Sequence, residues 1–575
     1  MNDQILRGHP AAPGAALGPA WTFAASAEAV AGTPDQEAAR TEQALRQVAD
    51  ELGALAERLT ADGHAADAEI VETNRLMAED QALLQTALSV ARAGEPAARA
   101  ILTAAEPHIA ALAALDDPTL AARAADLRSI ARRAAEVANG SRAEPPHGAV
   151  VLADDLGPGD VAAWAKQISA IVLAAGASTA HAAIVARSLG IPLVTGIGAE
   201  GLAIPDGEQI AVDADRGLVV RRPAAATRVR VAERIARAEE EAERVRRERH
   251  DPAVTADGRS VRLLSNAGTA AEVEAALEAG AEGIGLLRSE LAFMEADGWP
   301  SRQAHAAALR PMLELLPHRI ATVRTLDFGG DKTPPFLASS GAQSMLGPRG
   351  IRLALAAPDG IRPQLQALME VAGDALVRIL IPMVTEAAEI DAVREMANAA
   401  RDEVAPGAPD PIVGAMIEVP AAALNAQVLA RRSDFLSIGT NDLVQYTLAA
   451  DRQNPDVAER AVAYHPAVVR LISRVVAAGH QAGIPVDVCG EAAGDAEVLP
   501  LLIGFGVDEL SVSPARIAST RRMIRGLSAK YARAAAAAAL SAATAAEVAV
   551  CATAALGEPV SGEGLEQAGD RVERR

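Results

Sequence analysis

Apolar positions recur along this chain with two different spacings, and the first is helical. Between about residues 30 and 140, apolar side chains return every three or four positions, as at Ile70, Val71, Leu76 and Met77, with little glycine or proline between them. This spacing predicts a stack of antiparallel helices. Such a bundle serves either as a structural support or as a docking surface for another protein, and the pattern favours neither.

Short apolar runs separated by glycine-bearing turns follow from residue 144. They lie at 149–152, 168–173, 193–195, 210–212 and 218–220. Runs of this length predict the strands of a small α/β domain, to which the Gly- and Pro-rich start of the chain adds a strand with turns. The stretch 226–255 then mixes acidic and basic side chains, which is typical of a solvent-exposed linker helix.

Residues 256–530 alternate β-prone runs with helical patterns. The β-prone runs are 261–264, 283–287, 320–325, 378–383, 412–417, 435–438, 485–488 and 508–512. This order and size predict a (β/α)₈ TIM barrel. Beyond it, an Ala-rich stretch predicts one helix with a charged end.

The predicted fold class is therefore multidomain α/β. Its parts are a small α/β domain at 1–24 and 144–225, an inserted helical bundle at 25–143, a linker helix at 226–255, a C-terminal TIM barrel at 256–530, and a tail at 531–575.

Composition limits the classes of partner and the cellular compartments that are expected for this chain. The 575 residues carry a formal net charge of −21, which argues against nucleic acid because its recognition requires a clustered basic surface. Two cysteines, Cys489 and Cys551, make no disulfide framework and fit a reducing compartment. No apolar run reaches the ~18 residues needed to span a bilayer, and the first residues lack a signal-peptide pattern. We therefore expect a cytoplasmic protein without membrane insertion.

Polar residues follow the predicted barrel strands where each strand ends, which is where TIM barrels carry their catalytic groups. The set is Arg288, Arg324, Arg349, Glu418, Asn441, Asp442 and Arg452. Guanidinium groups suit phosphate and carboxylate oxygens, and Glu418 with Asp442 offers hard oxygen ligands for Mg²⁺. Each arginine alone is as well explained by a surface ion pair. Together, the residues predict a site for a small anion that bears phosphate and carboxylate.

Two further residues are candidates for proton and phosphoryl transfer. Cys489 follows the seventh predicted strand; a lone cysteine is commonly an inert core residue, but at a barrel mouth it can act as a general acid. His181 stands at the predicted start of an Ala-rich helix, where free backbone amides favour an anion. A histidine there either accepts a phosphoryl group on a ring nitrogen or simply caps or packs the helix.

Six motifs together resemble Enzyme I of the phosphoenolpyruvate:sugar phosphotransferase system. The stretch Ala175–Gly196, which contains His181, is similar to the phosphohistidine signature of that family. The other five motifs lie in the predicted barrel, at 282–290, 324–332, 418–422, 437–443 and 489–491. They occur in the order of the family, and the resemblance extends to about residue 530.

The resemblance implies a mechanism. His181 would take the phosphoryl group of phosphoenolpyruvate, release pyruvate, and pass the group to a histidine of the phosphocarrier protein HPr, the first step of the sugar phosphotransferase system. The helical insertion would dock HPr, and the barrel would form a homodimer. Phosphoenolpyruvate would be bound by Arg288, Arg324, Arg349, Asn441, Asp442 and Arg452. Glu418 and Asp442 would hold Mg²⁺, and Cys489 would protonate the enolate. Since one histidine must meet both partners, we expect its domain to swivel about 226–255.

Some residues depart from the family pattern. Ala177 stands at a usual glycine, and Ser289 and Val419 stand at usual threonines. The loop 155–161 carries no hydroxyl side chain, so the His181 ring lacks a hydroxyl group that commonly orients it.

Two alternative functions fit parts of the pattern. A pyruvate phosphate dikinase or phosphoenolpyruvate synthase would need a nucleotide-binding domain, but the helical insertion contains no Gly-rich phosphate loop. A phosphorelay regulator that has lost catalysis is disfavoured by the intact arginines, carboxylates and Cys489.

Overall fold

The computed structural model describes residues 4–23, 32–61, 65–114, 118–140, 144–175, 181–330, 332–340, 344–452, 454 and 456–555. The chain divides into two compact units, Met1–Arg244 and Val245–Arg575. Two features of the sequence interpretation lie outside the described residues. They are the turn at 176–180, which includes Ala177, and the charged end after residue 555.

The first unit contains an eight-stranded sheet. Its strands are β1 (Gln4–Arg7), β2 (His9–Ala12), β3 (Ala15–Thr22), β4 (Ala149–Ala153), β5 (Ile168–Leu173), β6 (Leu193–Thr195), β7 (Gln209–Asp213) and β8 (Leu218–Arg221). They are ordered β1-β8-β7-β3-β4-β5-β6-β2. Strands β3 to β6 pair in parallel and the outer pairs are antiparallel. Strand β4 is wholly buried, as expected for a continuous apolar strand covered on both faces.

Five helices are inserted between β3 and β4. They are α1 (Pro34–Ala61), α2 (Ala65–Ala78), α3 (Gln81–Arg92), α4 (Ala97–Ala113) and α5 (Pro118–Ala138). Leu45, Val48, Leu52 and Leu55 of α1 are all buried in the bundle core, at the three- and four-residue spacing of one helix face. The predicted helical insertion is confirmed.

Four helices accompany the later strands of the first unit. They are α6 (Pro158–Trp164), α7 (His181–Ser188), α8 (Ala199–Leu202) and α9 (Ala225–Glu248). Helix α9 is the predicted linker helix, and the boundary between the two units falls within it.

The second unit is a closed barrel of eight parallel strands, which confirms the predicted TIM barrel. The strands are β9 (Arg262–Ala267), β10 (Gly283–Arg288), β11 (Ile320–Arg324), β12 (Leu376–Ile381), β13 (Ile412–Ile417), β14 (Leu436–Ile438), β15 (Val486–Val488) and β16 (Glu509–Val512). The barrel closes through β16 and β9, where Leu510 pairs with Leu263.

Helices cover the outside of the barrel. They are α10 (Ala270–Glu278), α11 (Arg302–Glu314), α12 (Ile351–Ala356), α13 (Pro358–Val371), α14 (Ala387–Val404), α15 (Pro420–Leu424), α16 (Ala426–Ala430), α17 (Thr440–Leu448), α18 (Pro466–Ala482), α19 (Leu499–Phe505), α20 (Ile517–Gly526), α21 (Ala529–Ala539) and α22 (Ala545–Ala554). In the part of the chain that the structure describes, no helix combines the length and the apolar character needed to cross a membrane.

The Ala-rich stretch after residue 530 forms two helices, α21 and α22, where the sequence predicted one. Thr544 ends the first run because its hydroxyl accepts a hydrogen bond from the amide of Glu547 at 3.2 Å and so caps a new helix. Both helices pack on the barrel, since Ala532 and Ala536 of α21 and Val548 and Ala552 of α22 are buried in the same apolar cluster as the barrel strands. This stretch is therefore part of the barrel core.

Candidate functional site

The candidate residues of the second unit lie at the carboxyl ends of the barrel strands. Arg288 and Arg324 are the last residues of β10 and β11, and Glu418 follows β13 directly. Asp442 lies in the first turn of α17, just after β14, and Cys489 follows β15. Since parallel strands end on one face of a barrel, the topology gathers these side chains at one mouth.

Two buried arginines are held by carboxylates at this mouth. The Arg349 guanidinium donates from Nε to Asp327 Oδ1 at 3.1 Å and from Nη2 to Asp327 Oδ2 at 2.9 Å, and Nη2 also reaches Asp442 Oδ2 at 2.8 Å. Arg324 contacts Asp327 Oδ2 through Nη1 at 3.2 Å and pairs with Glu290. Burial without such partners would be costly for a charged group. The acids therefore fix both guanidinium forks at the strand ends.

Glu418 and Asp442 are the two candidate metal ligands. Glu418 Oε1 accepts a hydrogen bond from the Met383 amide at 2.7 Å, and Gly439 leaves room for this carboxylate, since a Cβ there would lie 2.9 Å from Glu418 Oε2. Burial, and then the charge of Asp442, raises the pKa of Glu418 to about 8.

Asp442 Oδ1 is buried without a hydrogen-bond partner among the described residues; Arg452 Nη1 is 3.9 Å away. Two crowded carboxylates with a free oxygen fit a divalent cation that completes its shell with water and substrate oxygens. Within the described residues, no three His, Cys, Asp or Glu side chains form a metal-binding group.

Cys489 is buried inside the barrel mouth with Leu286, Leu380, Met416 and Phe435. Its sulfur lies 3.7 Å from the Ile438 carbonyl oxygen. Burial raises the pKa of the thiol to about 12. The side chain is therefore a protonated thiol at neutral pH, which is the form that a general acid requires.

Arg288 lies at an adjoining cavity, and Asn441 bonds to a residue that lines it. Arg288 is exposed and lines a cavity of about 330 Å³ together with Glu491 and Asn266. Asn441 Oδ1 accepts a hydrogen bond from the Glu491 amide at 2.9 Å, which ties the loops after β14 and β15 together. Arg288 thus faces open space, whereas acids hold Arg324 and Arg349 in place.

His181 begins helix α7 in the first unit and is mostly buried. Its Nδ1 lies 3.0 Å from Asp126 Oδ2 of α5, at ion-pair distance, although the geometry is not that of an aligned hydrogen bond. Asp126 is buried and also accepts a hydrogen bond from Arg123 Nη1 at 3.1 Å. A carboxylate from the helical insertion therefore stands against the imidazole.

Helix α5 is anchored beside α6, which fixes the position of Asp126. Ser129, one turn after Asp126, donates to Asp160 Oδ2 of α6 at 2.6 Å, and Arg132 Nη2 lies 3.3 Å from the same oxygen. Residues three apart lie on the same helix face. The face of α5 that hydrogen-bonds to α6 therefore also holds Asp126 beside His181.

Asp327 stands in the sequence motif at a predicted strand end, three residues after Arg324, and this acid–base spacing was a usable signal for their ion pair. Asp126 gave no such signal, because it is 55 positions away from His181 in the chain and only the packing of α5 brings it near.

Three family models match consecutive parts of the chain. The PEP-binding domain of PEP-utilising enzymes matches residues 242–529, their N-terminal domain matches 7–123, and their mobile domain matches 145–217.

Relatives with these domains are similar over most of the chain. A "Phosphoenolpyruvate-protein phosphotransferase" of Staphylococcus carnosus is 34% identical over 86% of this chain and 88% of its own length. One of Cupriavidus necator is 34% identical over 90% of this chain and 94% of its own. A "Multiphosphoryl transfer protein" of Rhodobacter capsulatus is 37% identical over 91% of this chain, which spans 64% of that protein. The chain therefore belongs to the family of PEP-utilising enzymes that includes the phosphoenolpyruvate-protein phosphotransferases.

Proposed function

We propose that the chain transfers the phosphoryl group of phosphoenolpyruvate to His181, releases pyruvate, and passes the group to HPr. The observation that carries the proposal is the buried cluster of Arg324, Arg349, Glu418 and Asp442 at the barrel mouth. Cations and crowded carboxylates at one place suit a substrate that carries both phosphate and carboxylate groups.

Phosphoryl transfer depends mainly on positioning and on neutralising charge. Arg288, Arg324, Arg349 and Arg452 hold the substrate oxygens with Asn441. Glu418 and Asp442 would hold Mg²⁺, which would neutralise charge on the transferring group. The Nε2 atom of His181 attacks phosphorus, and Cys489 delivers its proton to the enolate carbon.

Labelling with radioactive phosphoenolpyruvate and Mg²⁺ tests the proposal. The wild-type chain should acquire an acid-labile label, and His181→Ala should not. His147→Ala, which changes an exposed histidine of the same unit, should be labelled like the wild type. Label that requires ATP, or that persists in His181→Ala, would refute the proposal.

The helical insertion is proposed to dock HPr next to His181. Helix α2 packs against α7, and Leu76 of α2 is 57% exposed while Ile184, one turn after His181, is 37% exposed. Exposed apolar side chains near a transfer site suit a protein surface.

Leu76→Glu separates the two half-reactions. We expect it to weaken transfer to purified HPr by about tenfold, which corresponds to ~1.4 kcal/mol of binding free energy, while labelling by phosphoenolpyruvate stays unchanged. Leu102→Glu is the matched control, since Leu102 is also exposed but lies on α4. Equal transfer by both variants would exclude Leu76 from the docking surface.

A homodimer through the barrel is also proposed. Leu424 and Val428 are exposed apolar side chains four positions apart, on α15 and α16 at the barrel surface. Leu424→Glu should then shift the protein from dimer to monomer in sedimentation, and an unchanged sedimentation coefficient would contradict this interface.

A further inference from the structure

A buried carboxyl group lies inside the barrel beneath Cys489. Asp487 of β15 precedes Cys489, which follows that strand, by two positions, so both side chains face the barrel interior. Asp487 is 4% exposed. Its Oδ2 is 2.6 Å from Ser437 Oγ of β14, and its Oδ1 has no hydrogen-bond partner among the described residues. The proposed function assigns no role to this group.

The surroundings of Asp487 favour the neutral form of its carboxyl group. Burial, and then the charge of Glu509, raises the pKa of Asp487 well above its ordinary value. A buried oxygen without a partner costs much less on a neutral carboxyl than on a carboxylate. The Asp487 proton therefore belongs on Oδ2, where it can be donated to the Ser437 oxygen.

One hydroxyl joins this acid to the thiol. Ser437 Oγ lies 2.6 Å from Asp487 Oδ2, and hydrogen bonding from the same hydroxyl lowers the pKa of the Cys489 thiol, against the larger effect of burial. Ser437 of β14 pairs with Asp487 of the neighbouring strand β15. The order Asp487, Ser437, Cys489 is thus a continuous path for a proton. The other charged groups that act on this path are Glu509 and Arg378 near Asp487, and Glu418 and Arg324 near Cys489.

We infer that Asp487 and Ser437 form a proton relay that restores the Cys489 thiol after each turnover. The inference rests on the proposed function, in which the S–H bond of Cys489 breaks and a C–H bond forms on the enolate. The resulting thiolate takes the Ser437 hydroxyl proton, and Ser437 takes the carboxyl proton of Asp487. Asp487 is left as a carboxylate and recovers one proton from water, so the relay takes up one solvent proton for each pyruvate formed.

An open cavity lies at the amino-terminal end of the barrel, lined by the residue that pairs with Asp487. Glu509 of β16 pairs with Asp487 in the sheet and lines an open cavity of about 630 Å³ with Arg262, His480 and Asp508. Arg378 Nη1 holds the Glu509 carboxylate at 2.7 Å, and Arg262 pairs with it too. The cavity lies at the opposite end of the strands from Cys489, so protons can return without passing through the substrate site.

Two assays on the same variant distinguish a relay from a structural role. In exchange of labelled pyruvate with phosphoenolpyruvate, Cys489 gives up a proton in one direction and regains it in the other, so no outside proton is consumed. In net turnover with purified HPr, the relay must take up one proton from solvent for every pyruvate. For Asp487→Asn and for Ser437→Ala, we expect exchange within about twofold of wild type and net turnover at least about tenfold slower, since positioned proton transfer contributes 10²–10⁴-fold.

Ser265→Ala is the matched control, because Ser265 is a buried barrel serine that bonds the Val512 carbonyl oxygen at 3.0 Å and lies outside the relay. It should leave both rates unchanged. If both relay variants lose exchange and turnover together, these residues only support the fold. If turnover is unchanged, the Cys489 thiolate receives its proton from another group. Either result overturns the relay. If wild type shows neither exchange nor labelling of His181, the proposed function itself fails.

Discussion

Asp126 Oδ2 lies 3.0 Å from Nδ1 of His181. A carboxylate at this position favours a proton on Nδ1, and the neutral ring then carries its lone pair on Nε2. The loop 155–161 supplies no hydroxyl group to the ring, so the orienting partner of His181 comes instead from helix α5 of the insertion.

Asp126→Asn should disturb this tautomer. An amide can present either a donor or an acceptor to Nδ1, so the preference for Nε2 as nucleophile weakens, and we expect labelling by phosphoenolpyruvate to slow by about tenfold or more. Nitrogen-15 NMR of the unphosphorylated protein should show less of the Nδ1–H form. Asp50→Asn, an exposed acid of α1, is the control; an unchanged tautomer in Asp126→Asn would exclude this positioning role.

Arg349→Met should destabilise the barrel strongly. The substitution removes the guanidinium group that pairs with the buried carboxylates of Asp327 and Asp442. Removing one partner of a buried ion pair costs ~3–5 kcal/mol of stability. Denaturant unfolding measures the change. Arg362→Met, at an exposed pair with Glu403, should change the free energy of unfolding by less than about 1 kcal/mol.

Gly490→Ala should disorganise the mouth of the barrel. A Cβ at this position would lie 2.7 Å from the Thr440 backbone nitrogen and 3.0 Å from Asn441 Oδ1, and backbone cannot move aside as a flexible side chain can. We expect a loss of labelling by phosphoenolpyruvate and ~1–3 kcal/mol of lost stability. Gly526→Ala, where a Cβ meets nothing within 4 Å, should show neither effect.

His305 should make the stability of the protein depend on pH. Its ring is buried against Phe293, and burial lowers its pKa from 6.5 to about 4. Between these values the unfolded chain binds a proton that the folded chain does not. As far as His305 is concerned, the free energy of unfolding is therefore highest above pH 6.5. It falls by about 3 kcal/mol as the pH is lowered from 6.5 to 4.

His305→Leu should flatten this dependence in unfolding measurements between pH 4 and 6.5. His318→Asn is the control, since His318 is exposed at a φ of 60° that asparagine tolerates. An equal pH slope in wild type and His305→Leu would contradict the assignment.

The barrel was predictable because each of its strands is a short apolar run bounded by turns, as at Ile412–Ile417, where the predicted and observed bounds agree. The residues at the strand ends followed from the same pattern, since strand direction fixes where they lie. Their ion pairs could not be predicted: Arg349 joins Asp442 across 93 positions, and only the closed barrel brings them together. One helix was predicted for the Ala-rich stretch instead of two because alanine favours helix at every position. The N-cap at Thr544 is what starts the second helix.

The pairing of β1 with β8 joins Gln4 to Arg221, and this has a consequence for biosynthesis. Strand β1 leaves the ribosome more than two hundred residues before its hydrogen-bonding partner β8. The helices of the insertion are synthesised completely in this interval, and they contact mostly one another. The insertion can therefore fold first during translation, while β1 and β2 wait with unpaired edges. Such long-range strand closure is slow and exposes the nascent chain to aggregation, so chaperone demand should concentrate on this sheet.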